Sequence, residues 1–350
     1  MTGIWKATGL AISSCFALAS GATADVAEFY KDKTVSLIIS TGSGGGYDTT
    51  ARFVARHLPK YLPGAPTIVP KNMPGAGNVL AANYMYNIAP RDGTTIATLA
   101  QAVFLLQPLD GQGVKFDAGK FYYLGSASVD NSTIYAWHTA GVNSIDDVMK
   151  KELLLGATGV GSGSTVYPII MNNLIGTKFK IIAGYKTSQE VDLAMARGEV
   201  QGRAGNNFQS LKSVRPDWIA EKKVIFLAQV GLERDSEYPD VPLLTELARN
   251  EEQRRIFAMF SAPVAIGRPF LTTPDVPADR ATALRAAFAA VMKDPGFIAE
   301  GKKASLDIKP TSGVRLAEIV ADLINTPPDI VARAKAVSDE SSLQPPAAKN

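Results

Sequence analysis

Short β-branched or apolar runs alternate with stretches of helical period along most of the chain, which predicts an α/β protein with largely parallel sheets. Val35-Ser36-Leu37-Ile38-Ile39 reads as the first strand. After a glycine-rich turn, Ala51, Val54, Ala55 and Leu58 fall at i, i+3, i+4 and i+7, so a helix with one buried stripe follows. Strands are expected around 67–69 and 95–99, and again at Thr133-Ile134-Tyr135-Ala136-Trp137. Ser144 then caps a helix, with Asp147 reciprocating at the third position. The pattern continues with strands near 153–155, 179–182 and Val200, helices over 166–174 and 188–197, and a returning strand over 223–228. The last third reads as a strand region over 258–266 and two helices. One has an apolar face of Ala281, Leu284, Phe288 and Val291; the other, capped by Ser312, buries Leu316, Ile319, Val320 and Leu323.

This order predicts two α/β lobes. The first spans 25–134 and resumes at 231–337, and the second spans 135–230. Residues 1–24 have the layout of a cleavable secretory signal: Lys6, an apolar run from Leu10 to Ala19, then Ala22-Thr23-Ala24 before Asp25. The run is well short of the roughly 20 residues that a bilayer span needs. Lipidation at Cys15, after Ile12-Ser13-Ser14, is the alternative use of this segment. Residues 338–350, with Pro345-Pro346, are expected to be a disordered tail.

Cys15 is the single cysteine of the 350-residue sequence, so cleavage before Asp25 leaves no disulfide, thiolate metal site or thiol nucleophile. A net charge of +3, with 36 basic and 33 acidic residues, is too balanced to point to nucleic acid or an anionic membrane surface.

Two loops carry the candidate chemistry. Thr41-Gly42-Ser43-Gly44-Gly45-Gly46-Tyr47-Asp48 lies between a strand and a helix N-terminus, where glycines expose backbone N–H groups and the first turn favours an anion. It lacks the Gly-Lys-Ser/Thr of a P-loop, and Tyr47 stands where a dinucleotide fingerprint needs glycine. Asp48 as a helix cap in a bare turn is the competing reading. Gly159-Val160-Gly161-Ser162-Gly163-Ser164-Thr165 occupies the equivalent position in the second lobe, adding hydroxyls. Two such loops facing one cleft would form a two-sided clamp beyond the strands' carboxyl ends. Asn72-Met73-Pro74-Gly75-Ala76-Gly77-Asn78 is a third element, either initiating a helix or closing the pocket. Tyr185 and Phe208 either line the pocket or belong to the core. Catalytic machinery is hard to find: there is no Gly-x-Ser-x-Gly elbow, and His57 and His138 lack metal-ligand spacing. Neither a metal nor a cofactor is expected.

With these motifs in place, the chain resembles the Bug family, the periplasmic receptors of tripartite tricarboxylate transporters, over essentially its whole mature length. The resemblance rests on Gly44-Gly45-Gly46-Tyr47-Asp48 with Ala51-Arg52, Asn72-Met73-Pro74-Gly75-Ala76-Gly77 and Pro90-Arg91-Asp92-Gly93. Further along it rests on Gly184-Tyr185-Lys186, Arg197-Gly198-Glu199-Val200 and Tyr238-Pro239-Asp240-Val241-Pro242 with Glu246. It implies a type II periplasmic binding protein, likewise a monomer, whose lobes close on a small carboxylate for delivery to large and small membrane subunits. The implied ligand contacts are Ser43, Gly45, Gly46, Tyr47 and Asp48 from the first lobe, and Ser162, Gly163, Ser164 and Thr165 from the second, with Ala76, Tyr185 and Asn206 around them. Loop donors alone would supply the affinity, without a buried arginine. The chain departs from the family at Met73, at Pro274-Asp275-Val276-Pro277, and at Gly205-Asn206-Asn207, where relatives often carry an acid; that loss argues against an amino-acid ligand. A sensor's ligand-binding partner, or an enzyme on the same fold using Asp48, are the alternative functions.

Overall fold

The computed structural model describes residues 25–109, 111, 113–159, 161–339 and 341. The expected signal segment and most of the expected tail lie outside the described residues.

Among the described residues, eleven strands form two sheets. The first sheet contains β1 (Thr34–Ile39), β2 (Thr67–Asn72), β3 (Thr95–Thr98), β4 (Tyr122–Ser126), β10 (Pro269–Thr272) and β11 (Thr311–Ser312), in the order β11-β4-β10-β3-β1-β2. The second contains β5 (Ser132–Trp137), β6 (Leu153–Ala157), β7 (Phe179–Ala183), β8 (Gly202–Asn207) and β9 (Val224–Val230), in the order β7-β6-β8-β5-β9. The expected bilobal α/β architecture is the one found.

The sheets are mixed, however, and not largely parallel. Pairs built within a lobe by strand–helix–strand crossovers, such as β1 with β2 and β3 or β6 with β7 and β8, are parallel. Strands that enter from the other lobe run the opposite way: β5 is antiparallel to β8 and β9, and β10 to β3 and β4. All of β5 belongs to the second sheet, so the chain first crosses between the sheets over 127–131.

The amphipathic stripes pack as their spacing requires. On Gly46–His57 the buried positions include Ala51, Val54 and Ala55, and on Ala278–Lys293 they include Ala281, Leu284, Phe288 and Val291. These two helices cover the same face of the first sheet, in one cluster with Leu37, Ile39 and Phe270. Ser312 caps Gly313–Ile324 by accepting from Arg315 N at 3.2 Å.

Residues 258–266, expected as a strand, are instead the second half of the helix Glu251–Ile266, capped by Asn250 accepting from Gln253 N at 2.9 Å. Nine consecutive buried or near-buried residues here hide the helical period, because this half lies between the lobes and is covered on all sides. Ile256, Phe257, Met259 and Phe260 share one continuous core with Ile170, Met171 and Leu174 of the second lobe and Leu316 and Val320 of the first. Gln253 Nε2 and Arg249 Nη2 also donate to Leu174 O and Ile175 O, at 2.6 and 2.9 Å, closing the carboxyl end of Gly163–Ile175.

The two crossings are tied together by buried amides. Asn131 Nδ2 donates to Gln229 Oε1 and to Glu233 O, both at 2.7 Å, and Gln229 Nε2 donates to Val241 O at 2.7 Å. Gly231 leaves the room that this needs: a Cβ there would sit 2.1 Å from Asn131 Oδ1.

Candidate functional site

Between the lobes lies a cleft of about 560 Å³. Its first-lobe wall is the start of the helix Gly46–His57, the segment after β3, and the turn that carries Arg268; its second-lobe wall is Asn207 with the helix Phe208–Val214. Ser128 and Asp130, on the first crossing, form part of the lining, and Asp307 adds a second carboxylate.

The helix Gly46–His57 has Gly45 as N-cap and no side-chain cap, so its first-turn N–H groups are left for solvent or a ligand. Arg268 lies against this end. A Cβ on Gly46 would stand 2.8 Å from Arg268 Nη2, which makes a glycine necessary for the guanidinium to approach so closely. Arg268 Nη1 donates to Thr50 Oγ1 at 3.0 Å, and among the described residues no carboxylate pairs with it. Helix terminus and guanidinium together place positive charge at this corner of the cleft.

Tyr47 holds this corner together. Its hydroxyl donates to Gly267 O at 3.0 Å and accepts from Gln101 N at 2.9 Å, which ties the helix start to two other wall segments. Burial pushes its phenol up to about 12, so it stays a neutral donor.

Asp48 faces the other way. Its carboxylate accepts from Gly44 N, Arg52 Nε and Asn72 Nδ2, each at 2.9 Å, while Asn72 Nδ2 also reaches Thr41 O. Those hydrogen bonds, Arg52's first, hold its carboxyl down at about 2. It braces the glycine loop from behind and does not line the cleft.

Of the residues expected at the site, Gly46 and Tyr47 line the cleft, while Ser43 and Gly45 sit exposed on the loop just before them. Ala76 is exposed in a turn where 75–78 all have positive φ, outside the cleft lining. In the second lobe, the loop hydroxyls are turned on one another. Ser162 Oγ donates to Gly159 O at 2.7 Å and lies 2.6 Å from Ser164 Oγ, and Thr165 Oγ1 donates to Gly159 O at 3.0 Å. Gly163 and Ser164 are pressed against Gly205 of β8, and no described residue of this loop is in the cleft lining. Asn206 is buried, its Nδ2 3.3 Å from Tyr135 Oη, and it faces a smaller polar pocket shared with Arg203 and Asp192. Tyr185 packs in the second lobe's own cluster with Val200 and Met195. Phe208 is core, stacked on Tyr238 at 4.1 Å.

Arg268, Asp130 and Gln101 line the cleft without having been read from the sequence. The available signal for Arg268 was a lone cation in Ile266-Gly267-Arg268-Pro269-Phe270, an otherwise apolar stretch. Among the described residues, no group of three or more histidines, cysteines or acids is placed to hold a metal. Neither histidine is in the cleft: His57 packs on Phe53 and Phe297 and His138 on Trp137. No helix among the described residues is long and apolar enough to cross a membrane.

Known proteins share both the sequence and this architecture. A UPF0065 protein of Cupriavidus necator is 29% identical over 231 residues, a match spanning 63% of this chain and 66% of that protein's length. A solute binding protein from Polaromonas, solved without ligand, superposes with a TM-score of 0.68 at 19% identity, covering 88% of this chain and 98% of its own. MatC from Rhodopseudomonas palustris, solved with bound malate, superposes with a TM-score of 0.55 at 18% identity, covering 88% and 99%. These likenesses establish the fold of a periplasmic binding protein, and the match of residues 50–335 decides the rest: the chain belongs to the tripartite tricarboxylate transporter receptor family.

Proposed function

We propose that this protein is an extracytoplasmic receptor that captures a small carboxylate in the cleft by lobe closure and hands it to the membrane subunits of a transporter. The observation that carries the reading is Arg268 set against the uncapped start of Gly46–His57, facing the amide and hydroxyl groups of Asn207, Gln209, Ser210 and Ser213 across the cleft. Micromolar capture requires about 8 kcal/mol. Charge-assisted hydrogen bonds contribute roughly 1.5–3 kcal/mol each, so a guanidinium and two or three further donors are enough. A ligand bridging both walls interacts with the closed state more than with the open one, the difference that closure needs.

The family and fold are those of solute-binding proteins, and the finer reading, that the protein turns over no substrate, is supported by Asp48. As a base Asp48 is disarmed, because Gly44, Arg52 and Asn72 already engage it and it does not line the cleft.

A thermal-shift screen of the chain from Asp25 against mono-, di- and tricarboxylates, amino acids and sugars tests the proposal. A ligand at a hundred times its Kd stabilises by about 2.7 kcal/mol. The expected result is a selective rise with acids that share a carboxylate and no product by mass spectrometry; shifts with sugars alone would overturn it.

A further inference from the structure

Resting on that reading of the cleft, we infer that its ligand is an amino-carboxylate: the carboxylate lies on Arg268 and the start of Gly46–His57, and the amine lies toward Asp130, with Asp307 nearby. The sign of the lining carries this. The charged side chains that line the cleft are Arg268, Asp130 and Asp307, one cation and two acids. Asp307 is offset by Lys309, so a dianionic diacid places its second carboxylate toward the Asp130 carboxylate, whereas a zwitterion meets an opposite charge at each end.

Asp130 is poorly satisfied by the protein. Its carboxylate oxygens accept only from Gln209 N, at 3.4 and 3.3 Å, and Asn207 Nδ2 bonds its backbone oxygen instead. The ammonium that acts on it, Lys309, is already engaged, donating to Asp235 at 3.2 Å and lying 3.4 Å from Asp307 and 4.0 Å from Glu237. A half-buried carboxylate facing the cleft with so few protein donors is open to what an amine supplies. This reverses the inference drawn from the missing acid at 205–207, since Asp130 reaches the cleft from the first crossing, beside Asn207.

Burial, first, raises the Asp130 carboxyl to about 6; the Gln209 N–H and Lys309 pull it down, and Asp307 and Asp235 push it up. Amine binding therefore strengthens as pH rises through 6 and the carboxylate forms, and it releases a proton near that pH.

The test is calorimetry with matched probes, L-alanine against L-lactate and 4-aminobutanoate against succinate, on the wild type, Asp130→Asn and Arg268→Ala. The expected result is that an amine-bearing probe binds at least tenfold tighter than its match, gains affinity from pH 5 to 7, and loses both preferences in Asp130→Asn. Succinate or lactate binding tighter than its match, with affinity that depends on Arg268, overturns the amine subsite while leaving the carboxylate cleft standing. If no probe binds, or if binding is indifferent to Arg268→Ala, the cleft reading fails and the inference with it.

Discussion

Replacing Arg268 with alanine is expected to weaken binding of the cognate carboxylate by about 100-fold or more, with little change in stability. Two charge-assisted hydrogen bonds at roughly 1.5–3 kcal/mol each exceed the 2.8 kcal/mol that a 100-fold loss represents, about 1.4 per factor of ten. The fold tolerates the change because the side chain's one protein hydrogen bond is to Thr50 Oγ1. Arg268→Lys is expected to fall between, since an ammonium keeps the charge but loses the planar fork. Calorimetric titration checks both variants, and wild-type affinity in Arg268→Ala would remove the anion site from this corner of the cleft.

The second large effect is on stability. Gly205 is the extra residue of a bulge, for Thr133 pairs with Asn206 while Ile134 pairs with Ala204. Its φ is +74°, and a Cβ there would stand 2.4 Å from Ser164 N and 2.6 Å from Gly163 C. Gly205→Ala therefore combines left-handed strain with a clash against backbone that has no rotamer to yield, an expected loss of about 3–5 kcal/mol. That is a large fraction of the roughly 5–15 kcal/mol a domain has in all. Urea denaturation measures it; a loss under about 1 kcal/mol would mean that the loop and β8 are not in the contact described.

The sequence made the first lobe's framework readable where one face of an element is buried and the other is wet. Gly46–His57, Ala278–Lys293 and Gly313–Ile324 each bury the stripe that their spacing marks. Glu251–Ile266 was misread because a helix covered on every side loses its polar face, and with it the period. Strand β4 was missed: four of its five residues are buried, so no polar alternation sets it off. The helix Phe208–Val214 carries no capping side chain and presents glutamine and serines to the cleft.

The site followed the same division. Gly46 and Tyr47 were legible because strand, glycines and helix are consecutive. Arg268 comes to Gly46 from 222 positions away and Asp130 to Gln209 from 79, meetings that are set by the order of strands and by the two crossings. The partners of Asp48 are local in Arg52 and Gly44, four residues to either side, whereas Asn72, 24 residues away, is one that no local spacing reveals.

The helix Glu251–Ile266 has a consequence for how the molecule melts. Two lobes joined only by thin crossings would unfold one after the other, but here Phe257, Met259 and Phe260 sit in a hydrophobic cluster to which both lobes contribute. Exposing either lobe's share strips cover from the other, so calorimetry is expected to record one cooperative transition whose van't Hoff and calorimetric enthalpies agree. Whatever their part in capture, the two lobes are expected to melt as a single body.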